Sequence, residues 1–200
     1  MAPVKPIATL GYAILGLLAR QPLSGYDVAA RLKVPVGFYW TAHYSQIRPE
    51  LHKLQDAGLV TYEAIPGPGP HSKKVYTITQ PGLDALRAWL TEPPKLAAPR
   101  NELLLKTHSL WLAGPGEMLP LFRAAAAVHA EHLAHYEAVR ERMEVRDGER
   151  LTMPDTPEFA EYATLRRGIG FETECLAWCE WMVERLEDAR DRARVEPPGR

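Results

Sequence analysis

The sequence predicts a mainly α-helical chain with a small β-hairpin, in which short elements come first and long helices follow. Two observations support this fold class. Apolar residues recur at spacings of three and four through most of the 200 residues, and this is the helical period. Two β-branched and aromatic runs flank a segment rich in proline and glycine, which is typical of a hairpin.

Composition excludes disordered and membrane-spanning proteins. Apolar residues make up 46% of the chain and charged residues 24%, which is typical of a globular protein. No uncharged stretch exceeds fourteen residues, whereas a membrane-spanning helix needs about 20. The two cysteines, Cys175 and Cys179, lie four apart in a helical pattern, so we expect no disulfide framework and a reducing compartment.

Charge is distributed unevenly along the chain. Residues 1–91 contain nine Lys and Arg against five Asp and Glu, a net charge of +4. The remainder contains 15 basic and 20 acidic residues, a net charge of −5. The two halves are therefore expected to meet different partners, with a polyanion for the basic half.

Two helices are predicted at the start of the chain. The first covers Ile7–Arg20 and ends before Pro22, because proline disfavours the helical conformation of the residue before it. The second begins at Ser24 as N-cap, with Asp27 completing a shortened capping box. The apolar run after Lys5 also has the outline of a signal peptide, but no small-x-small cleavage site follows it. We therefore expect a cytoplasmic protein.

A third helix and the hairpin come next. The helix is predicted to start near Ser45 or to bend at Pro49, which lacks an N–H, and to end at Gly58. Its apolar stripe is predicted to include Tyr44, Ile47, Leu51 and Leu54. The strands are predicted over Leu59–Ile65 and Lys73–Thr79, and a fourth helix over Gly82–Leu90.

The order of these elements is that of a winged helix-turn-helix, in which the hairpin is the wing. We assign it to a domain covering residues 1–94. In this arrangement the third helix enters the DNA major groove. Lys73 and Lys74, at the tip of the wing, would touch the adjacent backbone.

Residues 95–200 are predicted to form a long-helix dimerisation domain. Helices are predicted over Asn101–Leu112, from Glu117 to about Arg146, and from the cap at Thr156 to about Ala193. The long helices carry apolar seams of heptad spacing that a domain of this size would not bury alone, which predicts a homodimer. Dimer contacts are predicted at Leu103, Leu110, Phe122, His132, Tyr136, Leu176 and Val183.

Four segments of the N-terminal domain resemble the PadR family of bacterial transcriptional regulators. They are AILGLLARQPLSGYDVAARL (13–32), FYWTAHYSQIRPELHKLQDAGLV (38–60), KKVYTIT (73–79) and PGLDALRAWL (81–90). Residues 95–190 are similar to the virulence-activator type of C-terminal half in length and helix pattern. The resemblance implies a homodimer that binds double-stranded operator DNA, acts as a repressor and is released by a small effector. Arg48 departs from the family, because many members have tyrosine at this position.

Candidate DNA contacts lie around the second and third helices and the wing. Gln46 can pair with adenine through two hydrogen bonds, Ser45 can bind phosphate or cap the helix, and Arg48 favours phosphate or guanine. The alternatives are a solvated helix end, and lysines that protect an edge strand from aggregation. The candidates are Ser24, Tyr26, His43, Ser45, Gln46, Arg48, Lys53, His71, Lys73 and Lys74.

Other residue types point more weakly to ligands. Aromatic side chains at Trp89, Trp111 and Trp178 could bind a small aromatic effector, or pack in the core or a dimer interface. His129, His132 and His135 have helical spacing that suits a metal, but no established zinc motif is present and we predict no metal. Cys175 and Cys179 fit small core residues better than a redox sensor.

The sequence therefore favours a DNA-binding transcriptional regulator that needs no cofactor. The first alternative is a winged-helix module that docks other proteins, and the second is a metal or redox protein built on the helical half. An enzyme is not expected, since the chain contains no nucleophile elbow, carboxylate-pair motif or cofactor loop.

Overall fold

The computed structural model describes residues 7–33, 43–66, 73–94 and 101–195. The chain divides into two compact units, Met1–Lys95 and Leu96–Arg200. The helices and strands of the first unit are α1 (Thr9–Leu18), β1 (Leu23–Ser24), α2 (Gly25–Lys33), α3 (Tyr44–Asp56), β2 (Val60–Ile65), β3 (Lys73–Ile78) and α4 (Gln80–Leu90). Those of the second are α5 (Glu102–His108), α6 (Pro115–Asp147) and α7 (Pro157–Val195), with 3₁₀ turns at Leu110–Leu112 and Gly148–Thr152.

The sheet of the first unit has a strand that the sequence analysis missed. β3 pairs antiparallel with β2, as predicted, and also with β1, so that the order is β1-β3-β2. Leu23 lies opposite Tyr76, and Ser24 lies opposite Val75. Two residues cannot display the alternation that identifies a strand from sequence. β1 joins the wing, formed by β2 and β3, to the start of α2.

The start of α3 differs from the prediction in its first residue and in the exposure of the Tyr44 side chain. The helix begins at Tyr44, one residue before the predicted start, and continues through Pro49. The prediction that Tyr44 packs in the core is wrong, because this first residue of the helix is 48% exposed and its ring leans against that of Tyr26. Ile47, Leu51 and Leu54 form the buried stripe as predicted.

Gly58 ends α3 in the left-handed conformation, with φ of 71°. The N–H of Leu59 donates to the carbonyl of Leu54 at 2.9 Å, and the N–H of Gly58 donates to that of Gln55 at 2.9 Å. These two bonds make a Schellman motif, which satisfies the last carbonyls of the helix. The chain therefore turns directly from α3 into β2.

The second unit is built on the antiparallel pair α6 and α7. The start signal predicted for α7 is confirmed, because the N–H of Phe159 donates to Oγ1 of Thr156 at 3.1 Å. Contacts between Arg123 and Glu187, and between Glu144 and Tyr162, show the opposed directions of the helices. The predicted helix Asn101–Leu112 is interrupted, since α5 ends at His108 and a 3₁₀ turn follows.

The apolar seams of α6 and α7 pack against each other within one chain. Phe122 has no exposed surface and lies in a cluster with Leu119, Met182 and Leu186. The predicted dimer residues Leu103, Leu110 and Val183 pack against this cluster, and Tyr136 packs against a second cluster that contains Met143, Leu151 and Leu165. The argument from seam to dimer is therefore corrected: a second chain is not required to cover Phe122.

Of the described helices, none combines the length and apolar character needed to cross a bilayer.

Candidate nucleic-acid interface

The N-terminal end of α3 is exposed and is capped by its own side chains. His43, Ser45 and Gln46 are all exposed. The N–H of His43 donates to Oε1 of Gln46 at 3.0 Å, and the N–H of Gln46 donates to the carbonyl of His43 at 2.9 Å. Gln46 therefore completes the N-terminal turn, and in pairing with adenine its Oε1 must either share this bond through its second lone pair or give it up.

Two cations of α3 differ in their surroundings. Nζ of Lys53 lies 2.9 Å from Oε2 of Glu50, a buried carboxylate of the same helix, so the positive charge of Lys53 is already compensated. Arg48 is exposed, and in the described ranges no carboxylate lies within ion-pairing distance of it. Arg48 is therefore the better placed of the two to neutralise a DNA phosphate.

The start of α2 contains the predicted capping box. The N–H of Asp27 donates to Oγ of Ser24 at 3.2 Å, and the N–H of Ser24 donates to Oδ2 of Asp27 at 3.1 Å. The hydroxyl of Ser24 also donates to Oδ2 of Asp27 at 2.7 Å. Ser24 is 4% exposed, so the prediction that it contacts DNA is corrected: its polar atoms are engaged within the protein.

The two wing lysines have different partners. Nζ of Lys73 lies 3.1 Å from Oδ2 of Asp27, so Lys73 forms an ion pair with α2. Nζ of Lys74 lies 4.0 Å from the centre of the Tyr62 ring, which is a cation–π contact. Hydrogen bonds from Ser24 and Lys73 lower the pKa of Asp27 to about 2, with Ser24 the larger cause. His71 lies outside the described residues.

The exposed surface of the first two turns of α3 lies close to the wing. Burial raises the pKa of Tyr76 in β3, and the nearby positive charges of Lys74 and Arg48 oppose that rise. The wing lysine and the α3 arginine therefore both lie near the same side chain. Tyr26, 76% exposed, and Tyr44 extend this surface towards α2, with ring centres 5.8 Å apart.

The three tryptophans proposed for an effector do not share one environment. Trp89 stacks on Tyr12 in the first unit, with ring centres 4.5 Å apart. Trp178 packs edge-on against Phe122 in the second unit, at 5.6 Å. Trp111, in the 3₁₀ turn after α5, is 78% exposed. Trp89 and Trp178 thus have packing partners in their own units, whereas Trp111 is open to a ligand or another chain.

The histidines of α6 meet a buried acid that the sequence analysis missed. Nδ1 of His129 lies 2.6 Å from Oε2 of Glu172, and Nδ1 of His132 lies 3.4 Å from Oε1. Glu172 is buried on α7. In the sequence it lies between Ile169 and Leu176 of the predicted apolar seam. An acidic residue between seam positions is the signal from which its burial could have been predicted. Within the described ranges, no three His, Cys, Asp or Glu residues group as metal ligands.

Cys179 of α7 is a buried core residue, and Cys175 is half-buried. Burial is the main cause that raises the pKa of both Cys175 and Cys179. Their thiols are therefore neutral at physiological pH, and a neutral thiol is a poor nucleophile and metal ligand.

Comparison with known proteins places the chain in a family. Residues 14–88 match the model of the transcriptional regulator PadR-like family, and residues 99–187 match that of the virulence activator alpha C-term. The negative transcriptional regulator PadR of Bacillus subtilis is 30% identical over 179 residues, which cover 89% of this chain and 97% of that protein. The chain belongs to the PadR-like family.

Solved structures agree with this assignment of the PadR-like chain. The crystal structure of Bacillus subtilis PadR in complex with operator DNA has a TM-score of 0.80 at 30% identity, and covers 91% of this chain and 99% of that one. The structure of the same regulator with p-coumaric acid has a TM-score of 0.72 at 29% identity, and covers 90% and 99%. The Vibrio cholerae virulence activator AphA, 24% identical with a TM-score of 0.68, shares the fold over 90% of this chain and 99% of its own.

Proposed function

We propose that this PadR-like chain is a transcriptional repressor that binds a roughly palindromic operator as a homodimer and is released by a small aromatic effector. The observation that carries the proposal is the exposure of two cations and two tyrosines at the start of α2, at the start of α3 and on the wing, namely Arg48, Lys74, Tyr26 and Tyr44. Family membership supports the same function, since the relative that this chain matches over 97% of that relative's length is a negative transcriptional regulator. No catalytic role is proposed.

The surface suits a DNA duplex for electrostatic and geometric reasons. The N-terminal end of α3 enters the major groove, where Ser45 and Gln46 reach base edges or phosphates. Arg48 and Lys74 neutralise phosphates on either side, and the exposed Tyr26 can donate its hydroxyl to a third. The net charge of +4 on residues 1–91 favours approach to the polyanion.

Dimerisation is assigned to exposed apolar side chains of the second unit rather than to the buried seam residue Phe122. Leu104, Leu105, Trp111 and Leu112 are exposed around α5 and its 3₁₀ turn, and Trp181 is exposed on α7. Exposed apolar surface of this kind is typical of an interface. Light scattering at micromolar concentration is expected to give about twice the 22.4 kDa of one chain. A mass of one chain would contradict the dimer.

An aromatic effector is proposed because a solved structure of the relative contains p-coumaric acid and because Trp111 offers an exposed ring. A ligand that binds one dimer geometry more tightly than the other shifts the population away from DNA. Adding p-coumaric acid to the protein–DNA complex is the first test, and unchanged DNA binding at millimolar acid would exclude this ligand.

The experiment that tests DNA binding is fluorescence anisotropy with the chain's own promoter region and a scrambled duplex, at about 50 to 300 mM salt. Tight binding of the promoter alone, weakening as salt rises, is the expected result. Arg48→Met and Lys74→Met are each expected to lower the salt slope by about one. No binding at the lowest salt would contradict the proposal and favour a module that docks proteins.

A further inference from the structure

The wing is joined to α2 at two neighbouring points. The first is the backbone pairing of β1 with β3, which places Ser24 opposite Val75. The second is the ion pair between Lys73, the first residue of β3, and Asp27 in the first turn of α2. Ser24 belongs to both, because its hydroxyl donates to the same Oδ2 of Asp27 that Lys73 approaches. The carboxylate is therefore held in place before the lysine meets it.

The ion pair leaves Lys73 with little net charge to offer DNA. With its pKa lowered to about 2 by Ser24 and Lys73, the Asp27 carboxyl is ionised at neutral pH. A lysine whose charge is already compensated releases few counterions when a phosphate approaches. The contact of Lys74 with the Tyr62 ring leaves its full positive charge in place, since an aromatic ring is neutral.

We propose that Lys73 is a positioning residue, whose ion pair with Asp27 fixes the wing against α2, while the neighbouring Lys74 supplies the positive charge that meets the DNA backbone. This inference rests on the proposed DNA binding. Adjacent residues of a strand point to opposite faces, so the two lysines can have these separate roles. An exposed ion pair contributes little to global stability, but it can set the direction of a short hairpin.

The test is a double-mutant cycle on Asp27→Asn and Lys73→Met in the full-length protein, with promoter DNA binding measured by anisotropy. Asparagine keeps an oxygen acceptor for the N–H of Ser24, so the capping box is preserved. Each single variant is expected to weaken binding about three- to fivefold, the most that loss of an exposed ion pair can cause, and the double variant no more than either single one. Lys73→Met is expected to leave the salt slope unchanged, whereas Lys74→Met lowers it by about one.

Two variants control for other causes. Arg87→Met breaks an exposed ion pair of similar kind, with Asp84 at 3.3 Å, that lies within α4 alone; it is expected to leave DNA affinity unchanged. Lys73→Arg keeps a cation near Asp27 and is expected to restore affinity to within about twofold. Thermal unfolding of every variant checks that the fold is retained.

A readout without DNA separates this inference from the proposed function. In the free protein, Lys73→Met is expected to speed hydrogen exchange of the amides bonded between β1 and β3, whereas Lys74→Met leaves it unchanged. Unchanged exchange in Lys73→Met would overturn the positioning role even if no DNA binds. A salt slope lowered by about one in Lys73→Met, with effects that add to those of Asp27→Asn, would overturn it when DNA does bind.

Discussion

At the scale of single residues, the close approach of α4 to Leu59, in the turn between α3 and β2, depends on Gly82. A Cβ added at this position would lie 2.2 Å from the backbone carbonyl oxygen of Leu59. Backbone cannot move aside as a flexible side chain can, so Gly82→Ala is expected to lower the free energy of unfolding by roughly 3 kcal/mol. Urea denaturation followed by circular dichroism measures the change.

Gly116→Ala is the matched control for this substitution. No atom lies within 4 Å of a Cβ added at Gly116, so its stability is expected to stay within about 0.5 kcal/mol of the parent. Equal effects of the two substitutions would show that the approach of α4 to Leu59 is looser than described.

The carboxyl group of Asp27 is expected to titrate with a pKa of about 2, below its ordinary 3.8. Since the folded-state pKa is the lower one, Asp27 stabilises the fold above pH 4 and loses this contribution as the pH falls towards 2. NMR titration of the carboxyl carbon measures the value. Ser24→Ala is expected to raise it more than Lys73→Met, because Ser24 is the larger cause, and an unshifted pKa in the parent would contradict the geometry.

At the scale of elements, local signals predicted the helix ends well and the contacts between distant segments poorly. The cap at Thr156 and the Ser24–Asp27 box were visible because each involves residues three apart. The pairing of Lys73 with Asp27 joins residues 46 apart in the sequence, and no periodicity records such a contact. The capping role of Gln46 was missed although its three-residue spacing from His43 is that of a capping box.

The pairing of α6 with α7 includes a polar contact within an apolar seam. Glu172→Ala removes the buried acceptor of His129 and His132 and is expected to destabilise the fold by about 1 kcal/mol, since the partly buried His129 loses its hydrogen-bond partner. Glu174→Ala, at an exposed position of the same helix, is the control and is expected to be neutral. Equal effects in thermal unfolding would contradict the structural role of Glu172.

At the scale of the whole molecule, the two units differ in charge and helix length, and both differences are visible in the sequence. The surface that a second chain covers could not be predicted in the same way. Seam spacing identifies a buried helix face, but it does not distinguish a partner helix in the same chain from one in another. Phe122 is buried by α7, whereas exposed residues such as Leu105 and Trp111 had no periodic signal.

Hydroxyl-radical footprinting of the promoter region tests the central claim most directly, because it reports DNA contact and dimer geometry together. The account predicts two protected patches related by a dyad, with centres about one helical turn, roughly 10 bp, or a multiple of it apart. A single unpaired patch would contradict the homodimer. No protection at protein concentrations of tens of micromolar would contradict the regulator itself.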